Sequence, residues 1–265
     1  MLDYAAFPEQ RQTRIRQLLL AEGRVVCASL AEILQVSEHT IRRDLQELAR
    51  EGVCKRVYGG AVSTLTQAGE FETRRNVESQ QKSQLAEACL PLIKPGSVIF
   101  IDAGTTNLAL AQRLPADSGL TIVTNAPEIA VAAMGRRGCE VIILGGRIHP
   151  ATAAVLGGEP QQQLSGFHFD LCFLGGCGLD SEEGLSVNDY EDAAFKRMVA
   201  QRSSEIVVAL TASKIMTVSR YIVTSCQELT RLVIPASLSP EKRALLEAQG
   251  LALTLAGEPL SEAQE

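Results

Sequence analysis

Residues 29–62 read SLAEILQVSEHTIRRDLQELAREGVCKRVYGGAV, and the rhythm of their apolar positions decides the first part of the fold. Ser29-Leu30-Ala31-Glu32 has the spacing of a capping box and predicts the start of a short helix. Val36 and Ser37 interrupt it. Ser37 is a second N-cap residue, opening a longer helix to about Arg50 that Gly52 closes. In that helix Ile41, Leu45 and Leu48 fall at i, i+4 and i+7 and form one apolar stripe. Arg43, Glu47 and Arg50 repeat the spacing on a face turned to solvent. Two helices joined by a tight turn, the second with a basic face, are the pattern of a helix-turn-helix. Residues 53–63 (VCKRVYGGAVS) then alternate as two short strands around Gly59-Gly60, with Lys55 and Arg56 on the first, which is the pattern of a basic wing. Upstream, Ile15, Leu18 and Leu19 recur at helical spacing between Pro8 and Gly23.

Such a module divides its work by reach. Ser37, His39, Thr40, Arg42 and Arg43, at the start of the second helix, are placed to meet base edges and phosphates in a major groove. Lys55 and Arg56 would add positioning contacts that weaken with salt. The pattern is also compatible with a winged domain used for protein contacts, its arginines an ordinary solvated face. Asp44 stands apart, because a carboxylate repels phosphate. Its expected role is to orient Arg42, Arg43 or a wing residue.

The rest of the chain is of a different kind. Of the 265 residues, 46% are apolar and 21% charged, which excludes wholesale disorder. No apolar run approaches a membrane span, and the first residues, MLDYAAFPEQRQ, carry no apolar signal core, so a cytoplasmic location is expected. The seven cysteines include no C-x-x-C pair and there are only three histidines, so reduced core thiols and no metal site are expected. Residues 1–65 carry nine Lys/Arg against eight Asp/Glu, whereas residues 66–265 carry sixteen against twenty-three. A chain this acidic overall binds nucleic acid only through a local face.

Residues 64–81 are polar with little periodicity and read as a linker. Beyond Lys82, seven apolar runs alternate with helical stretches such as 108–114 and 128–134: SVIFIDAG, LTIVTNA, CEVIILGG, FDLCFLGG, SEIVVAL, RLVIPA and LALTL. Near-continuous apolar strands imply a parallel sheet covered on both faces, which binds ligands at its carboxyl ends. There the sequence puts Asp102-Ala103-Gly104-Thr105-Thr106, Thr124-Asn125, Gly145-Gly146, a glycine run at 175–178, and Thr211-Ala212-Ser213-Lys214. A close-approaching glycine, two hydroxyls and a lysine suit a phosphate carrying a polyol. Neither a Walker loop nor G-x-G-x-x-G is present, so no nucleotide cofactor is expected.

The quoted string, with Leu-Ala-x-x-Leu-x-Val-Ser nearly intact, Thr-Ile-Arg-Arg-Asp-Leu and a basic wing ending Gly-Gly-Ala, resembles the N-terminal region of DeoR-type bacterial transcription regulators. The departures are Ile33-Leu34 at the x-Leu step and Tyr58 where histidine is common. Asp-x-Gly-Thr-Thr, Thr-Asn, Gly-Gly and Ser-Lys, in that order, resemble the family's effector domain. The resemblance implies a fold similar to ribose-5-phosphate isomerase and a sugar-phosphate effector. It places phosphate contacts at Gly104, Thr105 and Thr106, with Thr124, Asn125 and Lys214 nearby, and matches Lys196 to a frequent family lysine. Thr211 stands where the family often has Asp.

The expected protein is therefore α/β: a winged helix-turn-helix over 1–63, a linker over 64–81 and a Rossmann-like, ribose-5-phosphate-isomerase-like domain with a mostly parallel sheet over 82–265. Its expected partners are double-stranded operator DNA and a small phosphorylated sugar or related metabolite, with no membrane, metal or cofactor. The expected function is that of a repressor of carbohydrate-catabolism genes, working as a homodimer or homotetramer because paired half-sites improve affinity. The candidate effector residues are Asp102, Gly104, Thr105, Thr106, Thr124, Asn125, Gly145, Gly146, Lys196 and Lys214. The alternative is a sugar-phosphate isomerase-like enzyme drawing on Asp102, Asp180, Asp189, Glu191 and Lys214.

Overall fold

The computed structural model describes residues 7–22, 24–57, 59–63 and 71–257. Its first part runs α1 (Pro8–Glu22), β1 (Arg24–Val26), α2 (Cys27–Leu34), α3 (Glu38–Arg50), β2 (Cys54–Val57) and β3 (Gly60–Ser63). The apolar stripe of α3 closes a core of its own: Ile41, Leu45 and Leu48 pack with Ile15, Leu19, Leu30 and Leu34, all at most 2% exposed. Ser37 caps α3 as expected, its Oγ accepting from Thr40 N at 3.2 Å.

The capping box at Ser29 does not form. Helix α2 begins two residues earlier, at Cys27, behind Val26, which has no side-chain cap. The physical reason is a strand the sequence did not announce. β1 pairs antiparallel with β3 and runs straight into α2, whose first N–H, at Cys27, is taken by Gly59 O at 2.7 Å. The sheet order is β1-β3-β2. Gly60 is required by this pairing, since a Cβ there would lie 2.0 Å from Val25 O.

The second part begins with α4 (Phe71–Asn76) and α5 (Ser79–Cys89). Both lie partly or wholly within the stretch that reads as a linker, and Phe71 is buried in the larger core. The strands β4 (Val98–Ile101), β5 (Thr121–Thr124) and β6 (Glu140–Ile143) follow, with α6 (Thr105–Ala111) and α7 (Pro127–Met134) between them. A hairpin, β7 (Arg147–His149) and β8 (Ala154–Leu156), leads through α8 (Gly158–Leu164) to β9 (Phe169–Leu174). Next come β10 (Gly178–Asp180), β11 (Gly184–Val187), α9 (Tyr190–Gln201), β12 (Ser203–Ala209) and β13 (Tyr221–Thr224). β14 (Arg231–Pro235), α10 (Pro240–Glu247) and β15 (Leu253–Ala256) complete the described fold.

The seven apolar runs became the seven strands of one sheet, in the order β15-β14-β12-β9-β4-β5-β6, with every pair parallel. Ile99, Phe100 and Ile101 are consecutive and all fully buried, so both faces of β4 are covered. From β4 the chain moves to β5 and β6 on one side, then returns to β9 on the other. The order therefore reverses between β4 and β9, and the carboxyl ends of these strands border the crevice such sheets use for ligands. A smaller antiparallel sheet, β10-β11-β13, stands beside it.

Candidate functional site

Two regions gather the residues that sequence reasoning singled out. On α3 and the wing, His39, Arg42, Arg43, Gln46, Glu47, Arg50 and Arg56 line one open concave surface. Arg43 is 78% exposed, 3.7 Å from Glu47, and Arg42 is 60% exposed, 2.9 Å from Glu38. These are solvated i,i+4 pairs, weak enough to exchange for phosphate or base edges. Ser37 and Thr40 share a hydroxyl contact of 2.9 Å at the helix start. Lys55 lies on β2 but is engaged elsewhere, 2.5 Å from Glu183.

Asp44 does not orient Arg42, Arg43 or a wing residue. It is buried and faces inward to Arg11 of α1, whose Nε and Nη2 reach its two oxygens at 2.5 and 3.0 Å. The correction follows from helix periodicity: Asp44 sits next to Leu45 and Ile41 on the core side, so its partner had to come from a packed element. Arg11 carried no local signal of this role.

At the sheet's carboxyl ends, β4 delivers Asp102, and the chain turns through Gly104 (φ 155°) into Thr105 and Thr106 at the start of α6. Asp102 is fully buried, with Lys196 Nζ at 2.5 Å and Gly175 N at 2.7 Å on its Oδ2. Lys196 also lies 2.8 Å from Asp192. Burial pushes the Asp102 carboxyl up, to about 6, although Lys196 opposes it. Burial disfavours the Lys196 ammonium too, but two carboxylates outweigh that and hold it protonated above its ordinary range. Asp102 Oδ1 is buried with no hydrogen-bond partner among the described residues.

Thr124 and Asn125 spend their side chains on the framework. Thr124 Oγ1 donates to Ile101 O at 2.6 Å, tying β5 to β4. Asn125 Oδ1 accepts from Ala103 N at 3.3 Å, and its amide donates to Val155 O at 3.3 Å. Gly145 is held by Gln163 through its N–H at 2.9 Å, and Gly146 (φ 142°) sits against Val155 and Pro160. Lys214 donates to Gly176 O at 2.7 Å, beside the glycine that abuts Ala103, so it stands at the β4–β9 crevice.

Two further cations were missed. Lys82 of α5 is buried, its Nζ bonded at 2.5 Å to the carbonyls of Arg74 and Val77. Burial, with repulsion from Lys214 and Arg74, lowers it to about 8, Glu78 opposing. Burial likewise lowers Lys214, with Arg74 and Lys196 adding repulsion. Arg74 of α4 donates to Ala151 O at 3.0 Å, linking the cluster to the β7–β8 hairpin. Glu78 reaches Ser213 Oγ at 3.1 Å, and Ser213 meets Thr211 at 3.0 Å. The missed residues come from a stretch that reads as polar spacer, so only their meeting in space marks them.

Of the carboxylates an isomerase would draw on, those other than Asp102 are engaged within the framework. Asp180 Oδ1 accepts from the backbone N–H of Glu182 and Glu183 at 3.0 and 3.2 Å. Asp189 caps α9 by accepting from Asp192 N at 2.9 Å, and Glu191 lies 4.0 Å from Arg147. No group of His, Cys, Asp and Glu suited to a metal occurs among the described residues, nor any helix long and apolar enough to cross a membrane.

The DeoR-like helix-turn-helix domain matches residues 11–67, and the DeoR C terminal sensor domain matches residues 77–235. The HTH-type transcriptional regulator GlpR of Haloferax volcanii is 32% identical over 248 residues, 92% of this chain and 96% of that protein. The glycerol-3-phosphate regulon repressor of Escherichia coli is 32% identical over 206 residues, 77% of this chain and 82% of its own. Among solved structures, ribose 5-phosphate isomerase A from Methanocaldococcus jannaschii overlaps 52% of this chain and 54% of its own, with a TM-score of 0.38 and 16% identity. Two family domains in sequence, joined to relatives alike over nearly their whole length, settle the kinship: the chain belongs to the DeoR family of helix-turn-helix transcriptional regulators.

Proposed function

We propose that the protein binds operator DNA through α3 and the wing, and that a phosphorylated sugar or related metabolite at the sheet's carboxyl ends controls that binding. The gathering of Lys82, bonded to Arg74 O at 2.5 Å, with Arg74 and the Lys214 that repels it carries the ligand half of this reading. Cations that repel one another, with Glu78 opposing, are stabilised by an anion, and the hydroxyl of Ser213 beside Lys214, with those of Thr105 and Thr106 at the start of α6, suit a phosphate ester with a polyol tail.

In this reading Gly104, Thr105, Thr106, Lys82 and Lys214 take the phosphate. Asp102 Oδ1 and Glu78 accept from ligand hydroxyls, which supplies carboxylates where Thr211 offers none. Lys196 holds Asp102 in place, Thr124 and Asn125 fix the loops, and Gly145-Gly146 forms part of the rim. Ser37, His39, Thr40, Arg42 and Arg43 read the major groove, while Lys55 and Arg56 meet phosphates. The working division is 1–63 for DNA, 64–81 as connection and 82–265 for the effector, in a cytoplasmic homodimer or homotetramer. Relatives named as repressors favour repression of a carbohydrate regulon. No catalytic role is assigned.

The deciding experiment is fluorescence anisotropy on DNA from upstream of the protein's own gene, with and without a panel of sugar phosphates. Tight binding altered by one of them is the expected result. Tight binding indifferent to all of them, with Thr105→Val behaving as the parent, would move the effector site elsewhere.

A further inference from the structure

Among the described residues, the wing is attached to the larger domain at Lys55 and at Ser63. Lys55 Nζ lies 2.5 Å from Glu183 Oε2, and Ser63, at the end of β3, accepts from Val218 N at 2.9 Å beside a parallel bridge to Thr217. Both attachments are built rather than incidental. Glu183 sits in the β10–β11 turn that Asp180 shapes by accepting from two backbone N–H groups. The segment carrying Thr217 and Val218 is pinned to the same sheet, since Met216 N and Thr217 N both reach Leu179 O, at 2.7 and 3.3 Å. Met216 holds a left-handed φ of 61°, and a Cβ on Gly178 would lie 2.7 Å from Thr217 O, so segment and strand fit without slack.

That segment starts at the ligand cluster. Lys214, bonded to Gly176 O, is four residues from Val218, which holds the wing. A change at the strand ends therefore has a short, closely packed route to β3.

A lysine engaged by a carboxylate has to release it before it can contact a phosphate. We propose that the β10–β11 turn and residues 214–218 form an intramolecular docking surface for the wing, in which Glu183 stands in for a DNA phosphate and competes with DNA for Lys55. The docked wing is then the arrangement of lower DNA affinity. This rests on the reading of Lys55 as a phosphate contact.

The test is a double-mutant cycle on the full chain, measured by anisotropy with a short random-sequence duplex over a range of salt. Glu183→Gln should bind about twofold to fivefold more tightly than the parent, the scale of an exposed ion pair. Lys55→Gln should bind more weakly and reduce the salt slope by about one counterion. In the Lys55→Gln background, Glu183→Gln should change nothing. Glu183→Lys, which repels Lys55, should tighten binding further than Glu183→Gln. Equal tightening by Glu183→Gln in both backgrounds would mean only a general loss of negative charge and would overturn the docking surface, as would no tightening at all. If Lys55→Gln alters neither affinity nor slope, Lys55 meets no phosphate, and that distinct failure removes the competition too.

Discussion

At Lys82, burial and repulsion from Lys214 and Arg74 bring the ammonium to about 8, from an ordinary 10.5. The sign of the consequence depends on which state holds the proton. Between these values the unfolded chain binds more protons than the folded one, so stability without ligand should rise as pH climbs from about 8. Urea midpoints across that window check it, and Lys82→Met should flatten the rise. A bound phosphate ester does the reverse, favouring the charged lysine. Its affinity should therefore be level below about pH 8 and fall above it, by at most about tenfold per unit for one proton. Ribose 5-phosphate is a suitable probe, because its own phosphate ionises near pH ~6 and is already a dianion in this range. Lys196 behaves differently, since its neighbours are carboxylates. Lys196→Met would leave Asp102 and Asp192 buried together, and the loss should be about 3–5 kcal/mol in urea denaturation. A much smaller loss would mean that the carboxylates relax or protonate at little cost.

Helix α3 owes its pose to a clamp as well as to its apolar stripe. Arg11 of α1 holds Asp44 with two bonds in a buried site, fixing the angle between α1 and α3. Asp44→Ala removes the acceptor of a buried guanidinium, and the N-terminal unit should lose about 3–5 kcal/mol. Thermal unfolding should show an earlier first transition, and DNA binding should weaken through α3 placement with an unchanged salt slope, since no phosphate contact is deleted. A variant that unfolds and binds like the parent would sink the clamp. The same element shows what the sequence made legible. Ile41, Leu45 and Leu48 announced their face by spacing, and Ser37 announced the cap, because both depend on neighbours along the chain. The seven sheet strands were legible as apolar runs, and the crevice as polar residues after them. β1 was not, because three residues become a strand only by pairing with β3, far along the chain. For the same reason Ser29 lost its box, and Arg11, Arg74, Lys82 and Glu183 found partners no local pattern specifies.

Charge and linkage act on the whole molecule. Residues 66–265 carry sixteen Lys/Arg against twenty-three Asp/Glu, so the net charge of the larger domain opposes DNA, and the proposed reading puts the approach at α3 and the wing. A domain whose net charge opposes DNA can still govern it, because two ligands that share one conformational equilibrium are coupled in both directions. If a sugar phosphate weakens operator binding by some factor, operator DNA must weaken sugar-phosphate binding by the same factor. Couplings of this kind are typically about 5–150-fold. The check is to titrate the protein with DNA at fixed effector, then with effector at fixed DNA, and to compare the two factors at one salt concentration. Equal factors above about fivefold would show one equilibrium biased from both sites. A DNA affinity that keeps falling as effector is raised, with no plateau, would mean that the effector acts on the DNA face directly, as a competing anion among Arg42, Arg43 and Arg56. High salt separates these outcomes again, since competition at an exposed basic face fades with screening while coupling through the packed segment 215–218 persists.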